Sequence, residues 1–207
     1  MHTDAHTLST LEDVRQIIGE SSPTTAMKVA PTLDAMSIDF VSRSPFLMLA
    51  TADEHGMPDV SPKGDEPGFV AVADERTLLI PDRKGNRLIF GLQNILKNPR
   101  ISVIFVIPGT EETLRVQGTA SITSDPAVLE RLSARGQPAL LAIRLSVEKC
   151  FFHCAKAFRR SKLWQAEAWA PKYRVSFGKQ MAPKFGGDDK LADQIDQLIE
   201  EDYKANL

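Results

Sequence analysis

With two cysteines in 207 residues, the chain has too few for a zinc site built on cysteine. Both sit in the segment CFFHC, Cys150 and Cys154. An extended strand there would turn both to one face and His153 to the other, so free thiols in a reducing compartment are expected, and no metal. Long apolar runs are missing too. Nothing approaches the roughly 20 residues needed to span a bilayer, and the opening MHTDAHTLSTLEDV carries acidic residues in place of a secretion signal's apolar segment. Nor is there an excess of charge of either sign. With 25 basic against 27 acidic residues, no global field draws the protein to nucleic acid or to an anionic membrane, and any anion site must be local. No internal repeat or low-complexity segment is visible. These absences point to a soluble, cytoplasmic protein, and a 43% hydrophobic content is enough for one substantial core.

The first 44 residues read as helical. Ser9 and Glu12 are spaced as a capping box ahead of Leu11, Val14, Ile17 and Ile18, and Gly19 ends that helix. A second helix is expected from about Thr32, with Leu33, Met36 and Phe40 on one stripe, stopping before Pro45. From Phe46 the period changes. FLMLATA is a short continuous apolar run, and Gly56 and Pro58 punctuate a hairpin behind it. Further strands are expected over Val60–Ser61, Gly68–Ala73, Thr77–Pro81, Ile101–Val106, Thr113–Ile122 and Leu140–Val147. That density predicts a closed or partly closed antiparallel barrel, residues 45–165, with flanking helices at about Leu88–Leu96 and Asp125–Arg135. Residues 166–207 form a C-terminal extension, in which Leu191, Ile195, Leu198 and Ile199 recur at helical spacing among acidic residues.

The chain is organised around Leu78 to Ile107. An apolar strand leads into a turn carrying Asp82, Arg83, Lys84, Gly85, Asn86 and Arg87, followed by a short amphipathic helix and another strand. Three cations crowd that turn. Gly85 allows a bend, and free backbone donors where the helix starts would suit a phosphate or another small anion. A solvated strand-to-helix connection would carry the same charges. A second cationic stretch, CFFHCAKAFRRSKLW, alternates Lys156, Arg159, Arg160 and Lys162 with Phe158 and Trp164. It is too short and too isolated for a nucleic-acid surface, and closing a small-molecule site is the better reading.

The order of DVSPKGDEPGF, LIPDRKGNR, KNPRISVIF, IPGTEETLRVQG and FHCAKAFRRSKLW resembles the FMN-binding split-barrel family that includes pyridoxamine 5'-phosphate oxidase. Within it, the chain is similar to a subgroup of FMN-dependent flavoproteins whose substrates are unassigned. The resemblance covers roughly Phe46 to Trp164. It implies a six-stranded antiparallel split barrel and a homodimer with FMN in the groove between subunits. Carried over by position, Ser61 and Lys63 would face the flavin and ribityl chain, and Arg83, Lys84, Asn86 and Arg87 would hold the phosphate. Arg forks suit a dianion in a way a lone Lys does not. Lys63 or Arg115 would compensate the charge that reduction places near flavin N1 and O2, and Gln117, Lys156, Arg160 and Trp164 would border the ring.

Arg115 and Gln117 would equally serve as the outward positions of a half-exposed strand, Trp164 as a packing residue and His153 as a structural histidine. No catalytic residue is assigned. The implied activity is an FMN-dependent oxidoreductase acting on a small-molecule substrate. The alternative is a flavin, haem or deazaflavin binding protein without turnover. Two departures set this chain apart from the pyridoxamine phosphate oxidases. Thr113 stands where those enzymes carry a flavin-contacting glutamine, and an acidic helix replaces their closing Arg-Leu-x-Pro segment. Oxidation of vitamin B6 phosphates is therefore not expected.

Overall fold

A computed structural model describes residues 6–206; residues 1–5 of the expected N-terminal segment lie outside the described residues. Helix α1, Leu11–Ile18, starts at a capping box, but the pair is Thr10 and Asp13, one residue on from the expected Ser9 and Glu12. Thr10 accepts from the Asp13 amide, and Asp13 accepts back from the Thr10 amide, both at 3.1 Å. Asp can close the box as Glu does, which is why the register slipped. The α1 helix buries none of its residues. A one-turn helix, α2, Pro23–Ala26, follows Ser22. In α3, Ala35–Arg43, the Asp34 carboxylate caps the Ser37 amide at 2.7 Å. The Ser37 amide and hydroxyl hold the Asp34 carboxyl below its usual range. Of these helices α3 is the one that seals the core, through Phe40 and Val41.

Seven strands follow: β1 Phe46–Ala52, β2 Pro58–Gly64, β3 Ala71–Asp74, β4 Thr77–Asp82, β5 Arg100–Val106, β6 Thr113–Thr123 and β7 Leu141–His153, with helices α4 Phe90–Lys97 and α5 Pro126–Arg131 between them. They form one antiparallel sheet in the order β2-β1-β5-β6-β7-β4-β3. The count is seven, as the residue pattern lists, where the resemblance implies six, and the short β3 that hairpins onto β4 makes the difference.

The sheet curls so far that side chains of β2 and β4, well apart in strand order, meet: Lys63 Nζ lies 2.6 Å from Asp82 Oδ1. No backbone ladder closes that gap among the described residues, so the architecture is a split barrel. Leu47, Leu49, Val103, Phe105, Leu114, Val116, Ile143, Leu145, Leu78 and Ile80 fill its concave side, with Leu92 and Ile95 of α4. The alternation of β1 shows the cause, since Leu47, Leu49 and Thr51 are buried while Met48 is exposed.

The last strand runs beyond the expected Val147 to His153. Opposite Glu148 the ladder shifts between Gln117 and Gly118. A Cβ on Gly118 would fall 1.8 Å from the Ser146 carbonyl oxygen, so only glycine admits this bulge. Cys150 is buried, and its thiol donates to the Thr32 carbonyl at 2.9 Å. Cys154, beyond the strand end, is exposed. The two thiols therefore do not share a face. The chain then forms α6 Lys156–Ser161, a 3-10 turn at Ala166–Ala168, α7 Phe177–Met181, a second 3-10 turn, and the acidic α8 Asp189–Ala205.

Candidate functional site

The gap in the barrel opens into a cavity of about 720 Å³, within the range of small-molecule sites. Ser61 and Lys63 line one wall. They pair with Leu49 and Leu47 across the ladder, so strand alternation turns them to the concave side. The other wall is the turn from Asp82 to Ile89, with Arg83, Lys84, Asn86 and Arg87 in its lining. The start of α4 forms the floor, where a Cβ on Gly91 would sit 3.8 Å from Ser61 Oγ.

The turn bends where the sequence does not advertise it. Gly85 is not in the left-handed region; Arg87 and Ile89 are, at φ 61° and 45°. For a β-branched residue that conformation is an outlier, of the kind that clusters at ligand sites. Ile89 stands at the N-cap of α4, and no side chain caps the helix. The first amides of α4 are thus left for water or a ligand. Asn86 Oδ1 accepts from the Leu88 amide at 3.0 Å, holding the loop before them.

The cations of the turn are not equivalent. Arg83 donates through Nε to Asp65 at 3.0 Å and through Nη2 to the Leu132 carbonyl at 2.7 Å. Lys63 is paired with Asp82, and Lys84 Nζ meets Asn206 Oδ1 at 2.5 Å. Arg87 makes no ion pair among the described residues. Asp65 also accepts from Arg135 at 2.7 Å, with 1% of its side chain exposed. Burial pushes the Asp65 carboxyl up, but the Glu66 amide and the Arg135 and Arg83 guanidiniums outweigh it and leave the carboxyl below its usual range.

The remaining expected site residues do not reach this cavity within one chain. Arg115 lies opposite Ile104 and Phe151, and Gln117 opposite Ser102 and Lys149. Alternation puts both on the convex face, where Arg115 packs 5.4 Å from the Phe151 ring centre. Lys156 lines a second hollow of about 590 Å³ with His153, Cys154 and Arg159, at the far end of β7. Trp164 stacks on Phe158 and donates through Nε1 to the Thr110 carbonyl at 2.9 Å. Arg160 lies on α6 between them. A third hollow, against α8, is lined by Asp193, Asp196, Glu200 and Glu201, a poor match for an anion. Among the described residues no acidic, histidine and cysteine cluster could hold a metal ion, and no helix is long and apolar enough to cross a membrane.

No curated protein matches the chain. Among solved structures, HupZ of Group A Streptococcus is 22% identical over 58% of this chain and 93% of its own, with a TM-score of 0.48. A proposed pyridoxamine 5'-phosphate oxidase from Lactobacillus delbrueckii is 22% identical over 59% and 95%, with a TM-score of 0.45. An FMN-binding protein from Syntrophomonas wolfei is 11% identical over 70% and 97%, with a TM-score of 0.46. The model of the pyridoxamine 5'-phosphate oxidase family matches residues 35–154, from the start of α3 to the end of β7, and so takes in both walls of the cavity. The chain belongs to the pyridoxamine 5'-phosphate oxidase family.

Proposed function

We propose that the protein is an FMN-dependent oxidoreductase acting on a small-molecule substrate, with the cofactor phosphate in the turn between β4 and α4. The observation that carries this reading is the donor set at one end of the cavity: an uncapped helix start, an Arg87 with no carboxylate partner among the described residues, and an Arg83 fixed in place by two contacts. These are the donors a phosphate dianion requires. Ser61 and Lys63 are placed to hold the rest of the cofactor along β2. Bound there, FMN would supply hydride chemistry at its ring system. The protein's part is to bind, orient and exclude water. Lys63, with Asp82 beside it, forms a nearly neutral pair on the wall.

Arg115, Gln117, Lys156, Arg160 and Trp164 would reach such a cofactor only from a second subunit, and we propose a homodimer. Its support is the convex face, where Met48, 40% exposed, shares a row with Ile104, Arg115 and Phe151, and Val60, 57% exposed, lies beside Ala50. Exposed apolar side chains interleaved with polar ones are a common composition for an association surface. Light scattering showing a monomer that still binds FMN tightly would overturn the shared site.

Titration of apoprotein with FMN and with riboflavin tests the assignment of the turn. FMN should bind at least tenfold more tightly, because one to two hydrogen bonds to a charged group separate the two ligands. Equal affinities would sink the reading. The visible spectrum of freshly purified protein separates flavin from haem. Pyridoxamine phosphate should not be turned over at rates near 1 per second, the low end of ordinary enzymes.

A further inference from the structure

We propose that Arg135, outside the cavity, determines its preference for a phosphate-bearing ligand by neutralising Asp65. The identity of the ligand rests on the flavin reading above; its charge does not. Arg83 opens the cavity turn, yet its Nε is bound to a carboxylate, which by itself would cancel the guanidinium charge. Arg135 Nη1 takes the other oxygen of the same carboxylate at 2.7 Å. One buried carboxylate then stands against two guanidiniums, and the trio keeps a net positive charge. Lys63 and Asp82 cancel each other beside it. The field felt by an anion in the turn therefore comes from Arg87, Lys84 and this trio, set against Asp59 on the β2 wall, and Arg135 decides whether the trio contributes.

The backbone supplies an independent observation. Ala134 and Gln137 exchange both amide hydrogen bonds, at 2.9 and 3.0 Å, around a two-residue turn. Its central residues, Arg135 and Gly136, are left-handed at φ 52° and 73°. A turn of that type favours Asn-Gly, since any Cβ is strained there and the short polar side chain of Asn offsets the cost by bonding the local backbone. An arginine held against that preference, with its guanidinium aimed at a carboxylate of 1% exposure, reads as a side chain retained for its charge.

The geometry also offers a clean test, because Arg135→Asn removes the charge while suiting the turn better. Calorimetric titration with FMN and with riboflavin should show that Arg135→Asn weakens FMN about fivefold, the order expected for removing one unit of charge from a group adjoining the turn in a screened protein environment. Riboflavin affinity should stay within about twofold, and the melting temperature should fall less than in Asp65→Asn, because Arg83 still pairs the carboxylate and the turn is relieved. Arg135→Lys should restore FMN binding. The double variant Asp65→Asn with Arg135→Asn, in which the trio regains its net charge, should return FMN affinity to near wild type. A merely structural role predicts the reverse, with the double variant worse than either single one and both ligands weakened alike. Unchanged FMN binding in Arg135→Asn would overturn the inference and leave the flavin reading standing. Equal binding of FMN and riboflavin by the wild type would sink the flavin reading. In that event phosphorus NMR titration with pyrophosphate decides: weaker binding by Arg135→Asn supports the role of Arg135, and no difference overturns it.

Discussion

Two cationic stretches in this chain look alike in sequence and part company in three dimensions. RKGNR, residues 83–87, sits where the barrel splits, against an uncapped helix start and behind a carboxylate with 1% exposure. KAFRRSK, residues 156–162, lies on a short exposed helix beyond the end of β7, where Arg159 meets Glu111 in water. Density of charge is the same in both. Both stretches also adjoin a helix start without a side-chain cap. What differs is the wall across from them: the first faces Ser61 and Lys63 of β2 across the split of the barrel, and the second lines a hollow at the far end of β7.

The largest test of that contrast is stability. Asp65→Asn leaves Arg83 and Arg135 facing each other without their carboxylate and should destabilise the protein by about 2 to 3 kcal/mol, somewhat below the loss for fully buried pairs. Glu111→Gln, at the second stretch, should leave the unfolding midpoint unchanged. The Asp65 effect should also depend on pH. Its folded carboxyl titrates below its unfolded value, so its contribution is fully present above the unfolded pKa near 4 and is lost as pH falls through the lowered folded value. Wild type and Asp65→Asn should therefore differ most at neutral pH and converge in acid. Denaturant midpoints measured from pH 3 to 7 that keep a constant gap would refute the assignment.

Ligand affinity should separate the stretches next. Arg87→Ala should weaken FMN by about 1.5 to 3 kcal/mol, the value of one hydrogen bond to a charged group. Arg160→Ala should have a smaller effect, and one that disappears at concentrations where light scattering finds monomer. Equal losses in the two variants, independent of protein concentration, would mean that the second stretch folds onto its own cavity.

How much of this was legible beforehand depended on the range of the interaction. The strand at Phe46–Ala52 was readable because its apolar run and its punctuation are local. The turn at Arg83–Arg87 was readable as a candidate site for the same reason, and Ser61 and Lys63 followed from the family pattern. Register across the sheet was not. The convex placement of Arg115 and Gln117 follows from which residues of β6 face Val103 and Leu145, a matter settled by pairing between distant segments. The extension of β7 through Glu148 and Lys149 was hidden because a bulge opposite Gly118 breaks the alternation. Arg135 carried no signal, since its partner lies 70 positions away in the chain. The helical spacing placed Arg135 at the end of a helix, whereas α5 ends at Arg131 and Arg135 lies in the turn between Ala134 and Gln137.

The smallest expected effect is the most discriminating. Each stretch has a non-glycine residue in the left-handed region in it or close by, Ile89 two residues after RKGNR at φ 45° and Lys162 at φ 52°. Lys162 ends α6, a position where glycine is favoured for its conformational freedom alone. Lys162→Gly should therefore raise stability by about 0.5 kcal/mol, the strain relieved less the extra entropy of the unfolded chain, and leave FMN affinity untouched. Ile89→Gly relieves a similar or larger strain, and its side chain is half exposed, so little packing is lost. Its stability should rise by a similar amount. The consequence for the ligand should differ, because Ile89 fixes the backbone that presents the first amides of α4. A glycine there lets those donors wander, and the order must be restored on binding, at about 1 kcal/mol for one residue's backbone. FMN should therefore bind about fivefold more weakly to the stabilised Ile89→Gly protein. If both glycine variants gain stability and neither changes FMN affinity, the left-handed bend at Ile89 is an accident of the turn and not part of the site.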